Sequence, residues 1–426
     1  MKALYHKLLH FSSKLQSKIA FYPTLLSAFG FLLTLIVLYL NEMGVSAYLK
    51  EKAPILVIED LQTARTLLSA FIAGMISLMV FSFSMVMILL NQASSNFSPR
   101  LLPGLISNRR HQLVLGSFLA SLIYCIFILV SVDGNEHPTN PAGFPVLVAI
   151  ILTIFCLGLF VYFIHSISQS ILVNNILDNI YRTSQRHLKE VLEADEDGMR
   201  FPATDEWHVY HADSTGYFQD CIIDTLKELC QKHSIKLEII PPKGSFILEG
   251  IPLIRCDRKL EEEVINKLRS SIIISKTQLL KENYVLAFKQ ITEIAVKAMS
   301  PGINDPGTAL NAIDYLTELF AGRMKKKDQI MLSIEKEPVI KMGSVSFQEL
   351  LYNVMASLRL YCKHDVIIMQ KLILMIRYLL FQPAAEEHYS ECLKEEVKLL
   401  LDDAGKSISN EKDLTTIKEL ANTIHI

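Results

Sequence analysis

The sequence predicts an α-helical membrane domain of four transmembrane helices followed by a C-terminal cytoplasmic α+β domain. Three observations carry that reading. Half of the 426 residues are hydrophobic, and mean hydropathy is positive at +0.30. The apolar mass is concentrated between residues 21 and 173, whereas residues 174 to 426 have the composition of a soluble protein. Within the apolar part, Leu67 to Leu90 runs for 24 residues without a charge. As a helix rising about 1.5 Å per residue it spans roughly 36 Å, enough to cross a hydrocarbon core of about 30 Å with some tilt.

Four spans are expected, at Phe21–Leu40, Leu67–Leu90, Leu113–Val132 and from Phe144 to Ile164. The N-terminal tail carries Lys2, Lys7, Lys14 and Lys18 before an apolar run, but no small-x-small cleavage site follows, so it reads as a retained helix rather than a signal peptide. The tail and the 91–112 loop, with Arg100, Arg109 and Arg110, hold seven basic residues and no acids. The opposite loops hold three bases, Lys50, Lys52 and Arg65, beside several acids. By the positive-inside rule both termini are expected in the cytoplasm, in a multi-pass protein of the bacterial inner (plasma) membrane.

Beyond the fourth span the helical spacing continues to about Glu193, so residues 174–200 read as a helical linker that prolongs the span. Residues 201–258 read as a small mixed α/β module. In it EWHVYHAD suggests a strand, YFQDCIIDTLKELCQKH a helix, and IKLEII, SFILEG and IPLIRC three strands separated by glycine turns. Residues 259–426 read as a mostly helical domain. Its helices include Leu260–Arg269, Asn283–Ala298, one after SPGINDP, Phe347–Tyr361 and Val366–Leu380, with Asp365 as the cap of the last.

Composition excludes several function classes. Net charge is −2, which argues against nucleic-acid partners. The seven cysteines form no CxxC pair, which reads as reduced thiols and no zinc site. His208 and His211 beside Glu206 make a lone HxxH without a third ligand, too little for a metal. No nucleophile elbow, phosphate loop or dinucleotide fingerprint is present, so neither an enzyme nor a cofactor is expected.

Two motifs remain. In the second span Gly74, Ser77, Phe81, Ser84, Ile88 and Asn91 fall on one helical face, with Gln92 and a run of serines at its end. Small residues at this spacing are how membrane helices pack, and polar residues at a span's end are also how a pore mouth is built. Gly74, Ser77, Ser84, Asn91 and Gln92 are therefore candidates to line a pore, and Met79 is expected to face lipid. His165 and Gln169, one turn apart at the end of the fourth span, join them as a candidate ion path. The second motif is SPGINDPGTALNAIDYL. Gly302 suits a left-handed C-cap, Asp305 an N-cap and Pro306 a first helical residue, which makes a stiff elbow. Lys297, Asn304 and Asp305 at the same helix start are also candidates for an anion or ligand.

The segments FSFSMVMILLNQASSNFSPRLL, HQLVLGSFLASLIYCIFIL, GYFQDCIIDTLKELC, KGSFILEGIPLI and AVKAMSPGINDPGTALNAIDYL together resemble a bacterial family of predicted membrane proteins, catalogued as domain of unknown function 2254. The resemblance runs in the same order over nearly the whole chain. It implies the topology and carries no established activity. The functional expectation is an oligomeric ion channel or transporter with a cytoplasmic gating or assembly domain. The alternative is a non-transporting scaffold or sensor that signals to a cytoplasmic partner. Its expected partners are the lipid bilayer, further copies of itself and an ion or small anion.

Overall fold

A computed structural model describes residues 20–58, 60–96, 109–134, 143–170, 173–193, 201–276, 283–335 and 337–424. The chain divides into two compact units between residues 172 and 173.

The first unit is a helix bundle. Its helices are α1 (Phe21–Glu42), α2 (Val45–Lys52), α3 (Leu61–Asn96), α4 (Arg109–Gly134) and α5 (Gly143–Ser170). Four of them, α1, α3, α4 and α5, are long and apolar enough to cross a membrane. Each outruns the span read from hydropathy, because polar ends add turns that apolar windows omit. The α4 helix packs against α1, α3 and α5 and is 44% buried over its apolar window, against 17% for each of the others. It is the central post of the bundle. Two backbones come together where side chains are missing. A Cβ at Gly30 of α1 would stand 2.5 Å from the Ala120 carbonyl oxygen of α4, and one at Gly116 of α4 would stand 2.7 Å from Leu26. Small residues admitting close approach are the usual route to helix packing in lipid, where burial alone supplies no drive.

Two core layers fill the bundle. One gathers Val37, Leu68, Met75, Tyr124, Ile128 and Val146; the other gathers Leu89, Val114, Phe118, Cys156, Phe163 and Ile167. Met79, expected toward lipid, packs against this second layer. It sits on the flank between the buried and outward faces of α3, which a one-helix wheel cannot tell from the lipid side. At the far end Tyr124 donates its hydroxyl to the Pro145 carbonyl at 2.9 Å.

The second unit begins with α6 (Val173–Glu193), whose Ile176, Leu177, Ile180, Ser184 and Leu188 are buried. This segment falls where a linker is expected, yet its apolar stripe packs on the helices α9 (Tyr284–Ala298) and α10 (Pro306–Arg323). A Cβ on Gly322 of α10 would reach Leu188 at 2.9 Å, and Asn311 donates to Asn174 at 3.1 Å. The strands are β1 (His208–His211), β2 (Gly216–Cys221), β3 (Leu237–Ile239), β4 (Phe246–Ile247), β5 (Pro252–Cys256), β6 (Ile272–Ser275), β7 (Ile330–Ile334) and β8 (Glu337–Met342). Helix α7 (Ile223–His233) follows β2, and α8 (Glu262–Ser270) precedes β6. One sheet has the order β1-β5-β3-β8-β7, and a second has β4-β2-β6.

Three sequence expectations change here. The helix read from Tyr217 starts only at Ile223, because Gly216–Cys221 pairs with both β4 and β6. The three strands read as neighbours in one small module do not stay together: β3 and β5 pair with each other, while β4 leaves for the other sheet. Strand β3 also pairs in parallel with β8, so the five-stranded sheet draws on residues either side of 258. The helices α11 (Phe347–Cys362), α12 (Val366–Leu380), α13 (His388–Ser407) and α14 (Glu411–Asn422) complete the unit, α11 packing on α9, α12 on α10, and α13 and α14 on α12. Asp365 caps α12 by accepting from the Ile367 and Ile368 amides, as its sequence position requires.

Candidate functional site

Helix α3 presents two unlike faces. Ala64, Leu68, Met75, Ser82 and Leu89 are buried in the bundle. Gly74, Ser77, Phe81, Ser84, Ile88 and Asn91 are all exposed. The small and polar stripe therefore points out of the bundle, not into it. A Cβ on Gly74 would meet nothing within 4 Å, so this glycine makes no helix contact of the kind made by Gly30 and Gly116. The Ser77 hydroxyl donates to the Ala73 carbonyl at 3.0 Å and the Ser84 hydroxyl to the Val80 carbonyl at 2.9 Å. Both serines thus satisfy themselves on their own helix. Ser84 also borders an apolar cleft of about 390 Å³ shared with Pro23 of α1, Phe83 of α3 and Leu115 and Leu119 of α4. The Gln92 side chain and Arg100 lie outside the described residues. Arg109, at the start of α4, stacks over the Tyr22 ring at 5.1 Å.

His165 and Gln169 stand on the outer surface of α5, exposed along with Gly158 and Tyr162. The bundle interior holds other polar groups. Ser82, His111 and Gln112 are buried, and the expected loop over 91–112 hides the last two, because α4 begins at Arg109 and carries them into the core. No spacing rule pointed to them, since they read as the tail of a loop.

In the second unit the SPGINDP elbow is an exposed turn between α9 and α10. The left-handed residue is Asn304, with φ +48°, and not Gly302. Asparagine accepts that conformation because its short amide tolerates positive φ. The Asn304 amide donates to the Ser300 carbonyl at 3.0 Å and the Asp305 amide to the Ala298 carbonyl at 2.8 Å. Asp305 accepts from the Thr308 amide at 3.1 Å and the Thr308 hydroxyl at 2.6 Å. These bonds, hydroxyl first, hold its carboxyl below the ordinary carboxylate range. The donors an anion would use at the start of α10 are thus occupied by a negative side chain of the chain itself. Lys297, half-buried on α9, has an interaction of its own.

One buried charge cluster lacks any sequence signature. Arg323 at the end of α10 is fully buried and donates to the Lys326 carbonyl at 2.8 Å, the Val345 carbonyl at 3.1 Å and the Asp328 carboxylate. Asp328 also accepts from the Tyr389 hydroxyl at 3.0 Å and the Phe347 amide at 2.8 Å. Glu386 and His388 approach it so that their ligand atoms lie within 4.8 Å of one another. Asp328 lies about sixty positions before Glu386 and His388, beyond any motif. One Asp328 oxygen is committed to three donors, Arg323 among them, so the cluster fits a structural latch better than a cation site.

The segment 16–378 matches a family described as a predicted membrane protein, domain of unknown function 2254. The chain belongs to that family. Within the 2254 family's reach are both the α3 stripe and the elbow. An uncharacterized protein of Mycobacterium bovis and one of Mycobacterium tuberculosis are each 24% identical over 269 residues, 60% of this chain and 51% of theirs. The chain thus spans about half the length of the curated relatives it matches. No solved structure matches it.

Proposed function

We propose that this family 2254 protein is an integral membrane protein whose copies assemble with the α3 stripe turned toward one another, lining a path for ions. The observation that supports the reading is the outward exposure of Gly74, Ser77, Ser84 and Asn91 on one helical face, opposite the face that builds the bundle. A single bundle has no use for that stripe, and lipid gains nothing from it. A shared axis gives it both a packing role and a polar lining. The excess of basic residues in the N-terminal tail and the 91–112 segment supports cytoplasmic termini and an inner-membrane setting.

A second reading, a scaffold or sensor without transport, has its own support. Because Ser77 and Ser84 bond their own helix, the stripe costs little even against lipid. Cysteine substitution separates the two. The Cys392 thiol is half-exposed and the other six are buried, so Cys392→Ser alone gives a quiet background. In liposomes, a water-soluble thiol reagent should modify Ser77→Cys, Ser84→Cys and Asn91→Cys faster than Ile76→Cys, which is exposed but off the stripe, and should change ion flux. Equal labelling at all four positions with no flux leaves the scaffold.

A further inference from the structure

The bundle interior carries a feature that the outward stripe does not explain. Gln112 is 2% exposed and His111 5%, both in the first turns of α4, and Ser82 is fully buried on α3. The Ser82 hydroxyl, His111 Nε2, and both Nε2 and Oε1 of Gln112 are buried with no hydrogen-bond partner among the described residues. The neighbouring hydroxyls behave otherwise. Ser77, Ser84, Ser117 and Thr153 each donate to the carbonyl one turn back. The surroundings are apolar: His111 meets the Phe163 ring edge-on at 5.6 Å, and Val114, two residues beyond Gln112, packs with Leu89 and Phe163.

Polar atoms left bare in such a place are costly, so a hydrogen-bonding partner beyond the described side chains is called for. The donor set says what kind. Gln112 offers two donor hydrogens and an acceptor oxygen, His111 a ring nitrogen and Ser82 a hydroxyl. A bare anion would leave the Gln112 oxygen facing like charge, and a bare cation would do the same to its amide hydrogens. A molecule that donates and accepts together satisfies both, and water with its two to four partners is the smallest that does. We propose that His111 and Gln112 form an internal water-binding site at the α4 start of the bundle, within a single chain and with Ser82 facing the same interior from α3. It lies on the opposite face of α3 from the outward stripe and does not depend on the oligomer.

Hydroxyl-radical footprinting by radiolysis of water tests this on the full chain in lipid nanodiscs. Phe163 and Phe118 are both fully buried in the same core layer, and it is the Phe163 ring that meets His111. Radicals born from bound water should oxidise Phe163 several-fold faster than Phe118. Gln112→Leu, which keeps the volume and removes both hydrogen-bonding atoms, should bring the two rates together. Equal rates in the unaltered protein overturn the proposal, and so does an unequal pair that Gln112→Leu leaves unchanged. If Gln112→Leu does not fold, the ratio in the unaltered protein decides alone.

Discussion

Arg323 carries one of the fully buried charges of the C-terminal unit. Its guanidinium has no exposure and depends on Asp328, which in turn gathers Tyr389 and the start of α11. Burial works against the charge. The neighbouring Tyr284, with Tyr389 and Asp328, outweighs it and raises the pKa of Arg323 further. Removing the anion would leave a positive charge buried without compensation, a loss of about 3–5 kcal/mol. Asp328→Ala should therefore shift urea unfolding of the full chain by that order, read on Trp207, which lies in this unit and is the chain's single tryptophan. A shift under about 1 kcal/mol, the size of a surface pair, would show that the latch is not what holds α10, α11 and α13 together.

Among the helices, α1 and α4 illustrate how an element finds its neighbour. Both are apolar all round, so pattern alone gives no preferred face. Gly30 and Gly116 create one by letting the backbones touch. Gly30→Ala forces the Ala120 carbonyl away and should cost about 1–3 kcal/mol of bundle stability, the usual penalty of overpacking. Gly74→Ala meets empty space within one chain and should cost the single bundle nothing, although Gly74 is the glycine that sequence spacing singled out. Unfolding the two variants in mixed micelles compares them directly; an equal loss in both would mean that Gly74 is packed in the assembled protein. Capping was easier to read. Asp305 and Asp365, both read as caps, accept from the amides at the start of their helices, and Asn283, read as a first helical residue, does the same. Such local bonds depend only on residues a turn away. The PKG turn was harder. Gly244 has φ +89°, and a Cβ there would strike the Asn283 side-chain amide, a contact spanning about forty residues.

For the whole molecule, the expected orientation rests on charge alone. If the seven basic residues of the tail and the 91–112 segment hold both termini in the cytoplasm, as the positive-inside rule expects, a phosphatase that works only outside should be inactive when fused after residue 426. Strong activity there would invert the topology and move the C-terminal unit to the other side. By itself the sequence determined the four apolar spans, the division into an apolar part and one of ordinary composition, and most helix starts. Each of these rests on composition or on bonds within one turn, where the chain needs no distant partner. Tertiary structure decided which face of α3 looks outward, that β4 abandons its neighbours for β2, that β3 pairs with β8, and that His111 and Gln112 turn inward. Those choices set contacts between residues far apart in the chain, and burial of polar and apolar surface at such distances leaves no period in the sequence to read.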